Sequence, residues 1–224
     1  MKPLYLLLML FTSHAFAEEI GSTYTARAKA GDSRAQYYLA ETYYSSGNDG
    51  QAEVWAEKAA RGGDVDAMAL LSQIKYKHAD YAGAKSLAQQ ATVAGSKQGA
   101  VMLARLLVNS EAGKTDYPQA LALLTSAAEE TENDAAVDAQ QLLGLIYASG
   151  VGVAQDDVKA AFWFKRSSAL SRTGYAEYWA GMLFQQGEKG FIVPNKQKAL
   201  YWLNLSCTEG FDTGCEEFDA LSGE

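Results

Sequence analysis

The stretch Ala139 to Ser168, AQQLLGLIYASGVGVAQDDVKAAFWFKRSS, decides the fold. Its first half sets Ala139, Leu142, Leu143, Ile146 and Tyr147 at helical spacing, and its second half does the same with Ala160, Ala161, Trp163 and Phe164. Each half therefore reads as an amphipathic helix. Ser149-Gly150-Val151-Gly152-Val153 between them is a turn: Gly150 follows the last periodic residue, where a left-handed cap wants no Cβ, and Asp156 or Asp157 can cap the second helix. The stretch is a helix-turn-helix hairpin. Two antiparallel helices of this length cover only one side of each other, so a neighbouring hairpin has to cover the rest, as in a solenoid.

The neighbour is present 37 positions on, where Ala176 to Phe184 (AEYWAGMLF) repeats the pattern of Ala139 to Tyr147 and aligns Gly181 with Gly144. Lys198 to Ser206 (KALYWLNLS) then repeats the Lys-Ala, two residues, Trp pattern of Lys159 to Trp163. The run Leu143-Gly144, Tyr147, Gly150, Gly152-Val153, Asp156, Lys159-Ala160, Trp163, Lys165 resembles Sel-1-like repeats, the relatives of tetratricopeptide repeats. That resemblance implies an all-α, right-handed α-solenoid superhelix of about five helix-turn-helix repeats plus a C-terminal cap helix.

Taken in order, the chain opens with a leader pattern: Lys2, the apolar run Leu4 to Phe11, and the small-x-small site Ala15-Phe16-Ala17. The expectation is a signal peptide over 1–17 and a repeat domain over 18–224, the mature chain starting at Glu18. The apolar run is too short to span a bilayer and no cysteine follows it, which predicts a soluble periplasmic or secreted protein without a lipid anchor. Losing Lys2 takes the 19 basic side chains to 18 against 27 acidic ones, a net charge of −9. Nucleic acid and anionic membrane both ask for a positive surface, so neither is expected as a partner.

The array is read as starting near Thr25. Ala35 to Tyr43 forms the first helix of repeat one and Gln51 to Ala60 its second; repeat two has helices over Asp66 to Tyr76 and Tyr81 to Val93. The Gly-Asp step of Gly31-Asp32 recurs at Gly63-Asp64, and Gly95-Ser96 lies a further 32 positions on. Repeat three runs over Lys97 to Thr131, with Pro118 in the first turn of its second helix, where proline is tolerated. An irregular connection is expected over Glu129 to Asp134. After repeats four and five, Gly210 to Leu221 supplies a polar terminal helix, as a solenoid end requires.

Cys207 ends one helix and Cys215 starts the next, and the turn at Gly210 can bring them together. An even cysteine count in an exported chain favours a disulfide, and the secreted cysteine-rich members of the family carry the same spacing. Catalytic and metal constellations are not found. The mature chain has one histidine, His78, read as a solvated turn residue, and the Gly150-Val151-Gly152 turn lacks the strand and Gly-Lys-Ser/Thr of a phosphate loop. No catalytic residue, cofactor or metal is expected, and the chain is not read as an enzyme.

Surface recognition remains. With Ala35, Leu39 and Tyr43 packed, Arg34, Tyr37, Glu41 and Tyr44 share another face of their helix. The same register gives Asp66, Gln73, Tyr76 and Lys77, then Gln98, Arg105 and Asn109, then Asp138 and Gln141, and last Tyr175, Tyr178 and Gln185. Tyrosine and arginine are frequent interface anchors, so this inner face is expected to bind another protein. Trp55, Trp163, Trp202 and Trp179 are read as core. Small exported Sel-1-like proteins include immunity proteins of type VI secretion lipases, periplasmic regulators of sensors and envelope-assembly scaffolds. The resemblance thus implies a protein partner, an effector toxin, sensor or envelope component, with an inhibitory role ahead of the others and a free monomer. Host-interacting secreted factors and β-lactam-binding or weakly hydrolytic relatives are the alternatives.

Overall fold

The computed structural model describes residues 24–129, 134–168 and 173–223; the leader 1–17 and most of the irregular connection expected over Glu129 to Asp134 lie outside them. The chain divides into two compact units, one ending at Ala94 and one beginning at Gly95.

In unit 1, residues 24–29 are helical and are followed by α1 (Ser33–Ser45), α2 (Asp49–Arg61), α3 (Val65–Lys77) and α4 (Tyr81–Val93). The boundaries follow from local chemistry. Asp32, Asn48, Asp64 and Asp80 each accept a hydrogen bond from the backbone N–H three residues on, which satisfies one donor orphaned at each helix start. The Gly-Asp step joins one hairpin to the next. Gly63 takes φ +84°, its N–H donates to Ala60 O at 3.0 Å, and Asp64 N donates to Ala59 O at 3.0 Å before its side chain caps α3. One residue therefore closes a helix and the next opens another.

Unit 2 contains α5 (Lys97–Val108), a short 3-10 turn (Ser110–Ala112), α6 (Tyr117–Ala128), α7 (Asp134–Ser149), α8 (Asp157–Ser168), α9 (Tyr175–Gln186), α10 (Lys196–Thr208) and α11 (Asp212–Ser222). Of the two candidate caps of α8, Asp156 accepts from Lys159 N at 2.9 Å and Asp157 is the first helical residue. Cys207 and Cys215 form a disulfide that ties α11 to α10, with their Cα atoms 4.6 Å apart.

The five hairpins, α1–α2 through α9–α10, share one packing rule. Their second helices bury residues 4, 8 and 11 places after the cap: Ala52, Ala56 and Ala59; Ala84, Ala88 and Ala91; Ala120, Leu124 and Ala127; Ala160, Phe164 and Ser167; Ala199, Leu203 and Ser206. In repeats four and five the first helix gives way to the middle residue. A Cβ on Gly144 would run into the Phe164 ring, and one on Gly181 would lie 2.7 Å from Leu203 Cγ. Repeat one, with Ala56, carries Ala40 at the matching place. The mid-helix glycines of repeats four and five are thus space for a large neighbour. Trp202 is fully buried, edge-on to Phe164 at 4.9 Å, whereas Trp55, Trp163 and Trp179 are only partly buried, so the expectation of four core tryptophans holds for one.

A second recurrence sits four positions before Ala40 and Gly144, in the first helices of repeats one and four. Gln36 Nε2 donates to Ala28 O at 2.9 Å and Gln140 Nε2 donates to Ala128 O at 3.0 Å, both side chains buried. Each glutamine ties its hairpin to a carbonyl at the end of the preceding helix. Residues 24–29 therefore act for α1 as α6 acts for α7.

Candidate protein-binding surface

In unit 1 the expected surface residues come together between α1 and α3. The Arg34 guanidinium lies over the rings of Tyr37 and Tyr38, 4.7 and 4.9 Å from their centres, and reaches Asp66 at 2.6 Å and Asp64 at 3.4 Å. The Asp66 carboxylate raises the Arg34 pKa, fixing the positive charge. The Tyr37 hydroxyl donates to Glu41 at 3.3 Å; burial, followed by the charge of Glu41, pushes its pKa up. Further along, Lys77 Nζ binds Asp49 at 2.6 Å and lies 5.7 Å from the Tyr44 ring, and the Tyr76 ring meets Tyr81 edge-on at 5.4 Å. Gln73 is partly buried.

Three readings of the sequence change here. Tyr37 and Tyr44 are partly buried and pack on the same apolar cluster as Tyr43, so they are less open than the helical register implies. The buried residues of α1 are Ala35, Gln36 and Ala40, whereas Leu39 and Tyr43 are only partly buried. His78 ends α3 with Nε2 3.6 Å from Asp49 and Nδ1 3.9 Å from Glu53, in an acidic surround and not simply in solvent.

The register misses Tyr38 and Tyr24. Tyr38 is 39% exposed, meets Tyr24 edge-on at 5.7 Å, and lines with Tyr24, Thr25, Leu39, Glu41 and Thr42 a cleft of ≈ 410 Å³. The signal that could have found them is the Tyr37-Tyr38 doublet, since neighbouring residues on a helix point about 100° apart and cannot both face the core.

Unit 2 departs further from the expectation. Gln98 donates to Asp138 at 2.7 Å, and burial raises the Asp138 pKa. Gln141 is buried at 9% exposure and Asn109 at 1%, so neither stands on an open face. The cause for Asn109 is the connection after α9: its Nδ2 donates to Lys189 O at 3.2 Å, while Arg105 forms a two-pronged pair with Glu188, at 2.8 and 3.4 Å. Tyr175 and Tyr178 remain near the surface, clustered around Phe211 at 5.9 and 5.3 Å between ring centres, and Gln185 is exposed. Among the described residues no cluster of three or more His, Cys, Asp or Glu is placed to hold a metal, and no helix is long and apolar enough to cross a membrane.

Comparison with known proteins agrees with this architecture. The Sel1 repeat profile matches residues 33–64, 98–131, 137–171 and 174–211, leaving the hairpin α3–α4 between the first two matches. The Sel1-repeat-containing protein YjcO of Escherichia coli (strain K12) is 61% identical over 220 residues, 97% of this chain and 96% of its own. A crystal structure of a Sel1 repeat protein from Klebsiella pneumoniae is 64% identical with a TM-score of 0.87, covering 90% of this chain and 99% of that one. At 17% identity and a TM-score of 0.59, a tetratricopeptide protein of Thermus thermophilus shares the fold, over 86% of this chain and 100% of its own. With its hairpins, its glycine-for-bulk exchange and these relatives, the chain belongs to the Sel1 repeat family, α-solenoids whose repeats serve protein–protein interaction.

Proposed function

We propose that the mature chain, from Glu18, is exported to the periplasm and binds another protein there, as the inhibitory partner, or immunity protein, of a secreted toxic effector such as a type VI secretion lipase. The observation that carries the binding part is the aromatic and charged surface of unit 1. Arg34, Tyr37, Tyr38 and Glu41 lie on α1, with Asp66 and Lys77 on α3. Such a surface offers flat rings of low conformational entropy next to fixed charges of both signs, the composition that anchors protein interfaces. Export is supported by the leader pattern of residues 1–17 and by the Cys207–Cys215 disulfide, which belongs to an oxidising compartment. The inhibitory role rests on the resemblance to small exported relatives.

Affinity capture with mature protein from envelope extract tests the reading. Recovery of one stoichiometric hydrolase, inhibited in the complex, is the expected result; recovery of a sensor or an assembly component would keep the surface and replace the role. With the partner in hand, the variant Y38A/E41K/K77E should weaken capture at least about tenfold. Its helical circular dichroism should match wild type, because these three side chains are among the more exposed on the two helices.

A further inference from the structure

The mature chain is acidic as a whole, with 18 basic side chains against 27 acidic ones, yet that charge is not spread evenly. α8 and α10 together carry five basic side chains and one acidic one, Asp157 at the first residue of α8. The two helices lie side by side, since Phe164 of one meets Trp202 of the other edge-on at 4.9 Å. Phe162 stands two residues after the buried Ala160 and Tyr201 two residues after the buried Ala199, the same place in the packing rule. Both rings therefore point away from the core at one level. Phe162 is 57% exposed and Tyr201 50%, and Val158, one turn before Phe162, is 82% exposed. That outward place holds Val54, Ser86 and Ala122 in the first three repeats, so among the five hairpins it carries rings only on α8 and α10.

Basic groups surround these tips. Lys159, Lys165 and Lys196 are exposed and Arg166 is half-buried, its guanidinium 5.7 Å from the centre of the Trp163 ring. Lys159 lies 3.4 Å from Asp156, whereas Lys165 and Lys196 make no ion pair among the described residues. Lys198 is committed elsewhere, donating to Ala148 O at 2.6 Å at the end of α7. Exposed rings and an aliphatic side chain, ringed by long cations with one acid at the margin, are the parts of a surface that rests on anionic lipid. The apolar tips enter the boundary of headgroup and acyl chain while the cations reach the phosphates. We propose that the outward face of α8 and α10 is a peripheral docking surface for an anionic phospholipid bilayer. The surface of unit 1 differs in kind, because its cations are fixed, Arg34 by Asp66 and Lys77 by Asp49. Unfixed lysines of one sign suit a fluid array of like charges. The net charge of the chain argues against adhesion at large but not against this face, since salt screens charges separated by more than about 8 Å. The acidic run of α11 is tied to α10 at Cys207, more than a turn beyond Tyr201.

Sedimentation of the mature chain with vesicles tests this. It should pellet with vesicles of phosphatidylglycerol and phosphatidylcholine, and bind at least about tenfold more weakly to phosphatidylcholine alone, because the cations then lose their counter-charge. K165E/R166E/K196E should weaken binding to the anionic vesicles at least about tenfold, and F162S/Y201S should weaken it with all charges in place. Wild type that stays in the supernatant with anionic vesicles overturns the proposal. So does binding that survives the charge reversal in a protein with unchanged helical signal and melting. Should F162S/Y201S melt early, the charge variant decides alone, since its side chains stand outside the core. A protein captured from envelope extract by wild type and lost in K165E/R166E/K196E, with no vesicle binding by wild type, would make the face a protein interface and overturn the lipid reading. The inference is independent of the partner proposed above: Y38A/E41K/K77E should keep its vesicle binding, and K165E/R166E/K196E should keep the captured hydrolase.

Discussion

Gly144 and Phe164 show most directly how single residues set this fold. The ring occupies the space that a Cβ on residue 144 would need, so G144A should destabilise the protein by about 1–3 kcal/mol through overpacking, read as a fall in melting temperature. Adding F164L should recover part of that loss, because repeat three carries Ala104 and Leu124 at the matching places. Charges at helix starts have a different consequence. Backbone N–H donors, helped by a neighbouring Arg27, Lys75 or Lys159, hold the Asp32, Asp80 and Asp156 carboxyls below their ordinary value of 3.8. A folded-state pKa below the unfolded one gives stability that is present above pH 3.8 and lost as pH falls through the folded value. Acid unfolding should therefore set in near about pH 4, and D80N, which keeps the cap without the titration, should flatten that loss. Asp138 has the opposite sign: burial raises its pKa, so its ionisation weakens the fold at neutral pH. D138N can still accept from Gln98 and should raise the melting temperature at about pH 7, with the gain vanishing below about pH 4. The glycine spacing was legible in the sequence as a repeat mark; its reason, a ring in the facing helix, required the packing.

At the scale of elements, helices such as α1, α5 and α10 were legible to within one or two residues because their starts are written in one side chain, an Asp, Asn or Ser three residues ahead of the N–H it caps, whereas α9 starts after Gly174 with no side-chain cap and α7 starts at Asp134, five residues before Ala139. The cover over α5 was not legible. A helical register assigns faces within an element, and nothing in periodicity reports that a connection about 80 residues on will cover Arg105 and Asn109. The terminal helix was legible as polar and its cysteines as a pair. Since the disulfide closes a short loop, C207S/C215S should lose about 2–3 kcal/mol. The loss should be local, with amide exchange accelerating in α11 and changing little in α1 to α8, because in stacked repeats an end element contacts mainly its neighbour.

For the whole molecule, the two units differ in what fills them. Alanine dominates the buried second-helix positions of α2 and α4, whereas Leu124, Leu142, Leu143, Phe164, Phe184, Trp202 and Leu203 fill unit 2. Larger side chains remove more apolar surface from water, at about 25 cal/mol per Å². Unit 1 should therefore open first: in urea below the main transition, amides of α1–α4 should exchange before those of α7–α10, and a single concerted exchange of both units would contradict this difference in buried side chains. The solenoid class followed from one hairpin with an uncovered flank, while the division into units did not, because it depends on summed packing and not on any motif. The buried glutamines carry one consequence for protein engineering. Gln36 addresses the carbonyl of Ala28 as Gln140 addresses that of Ala128, so the junction before α1 already has the chemistry of an internal seam. The array can be lengthened there, by splicing a complete hairpin that ends in Ala-x-x-Gly between Gly31 and Asp32, without redesigning either side of the cut.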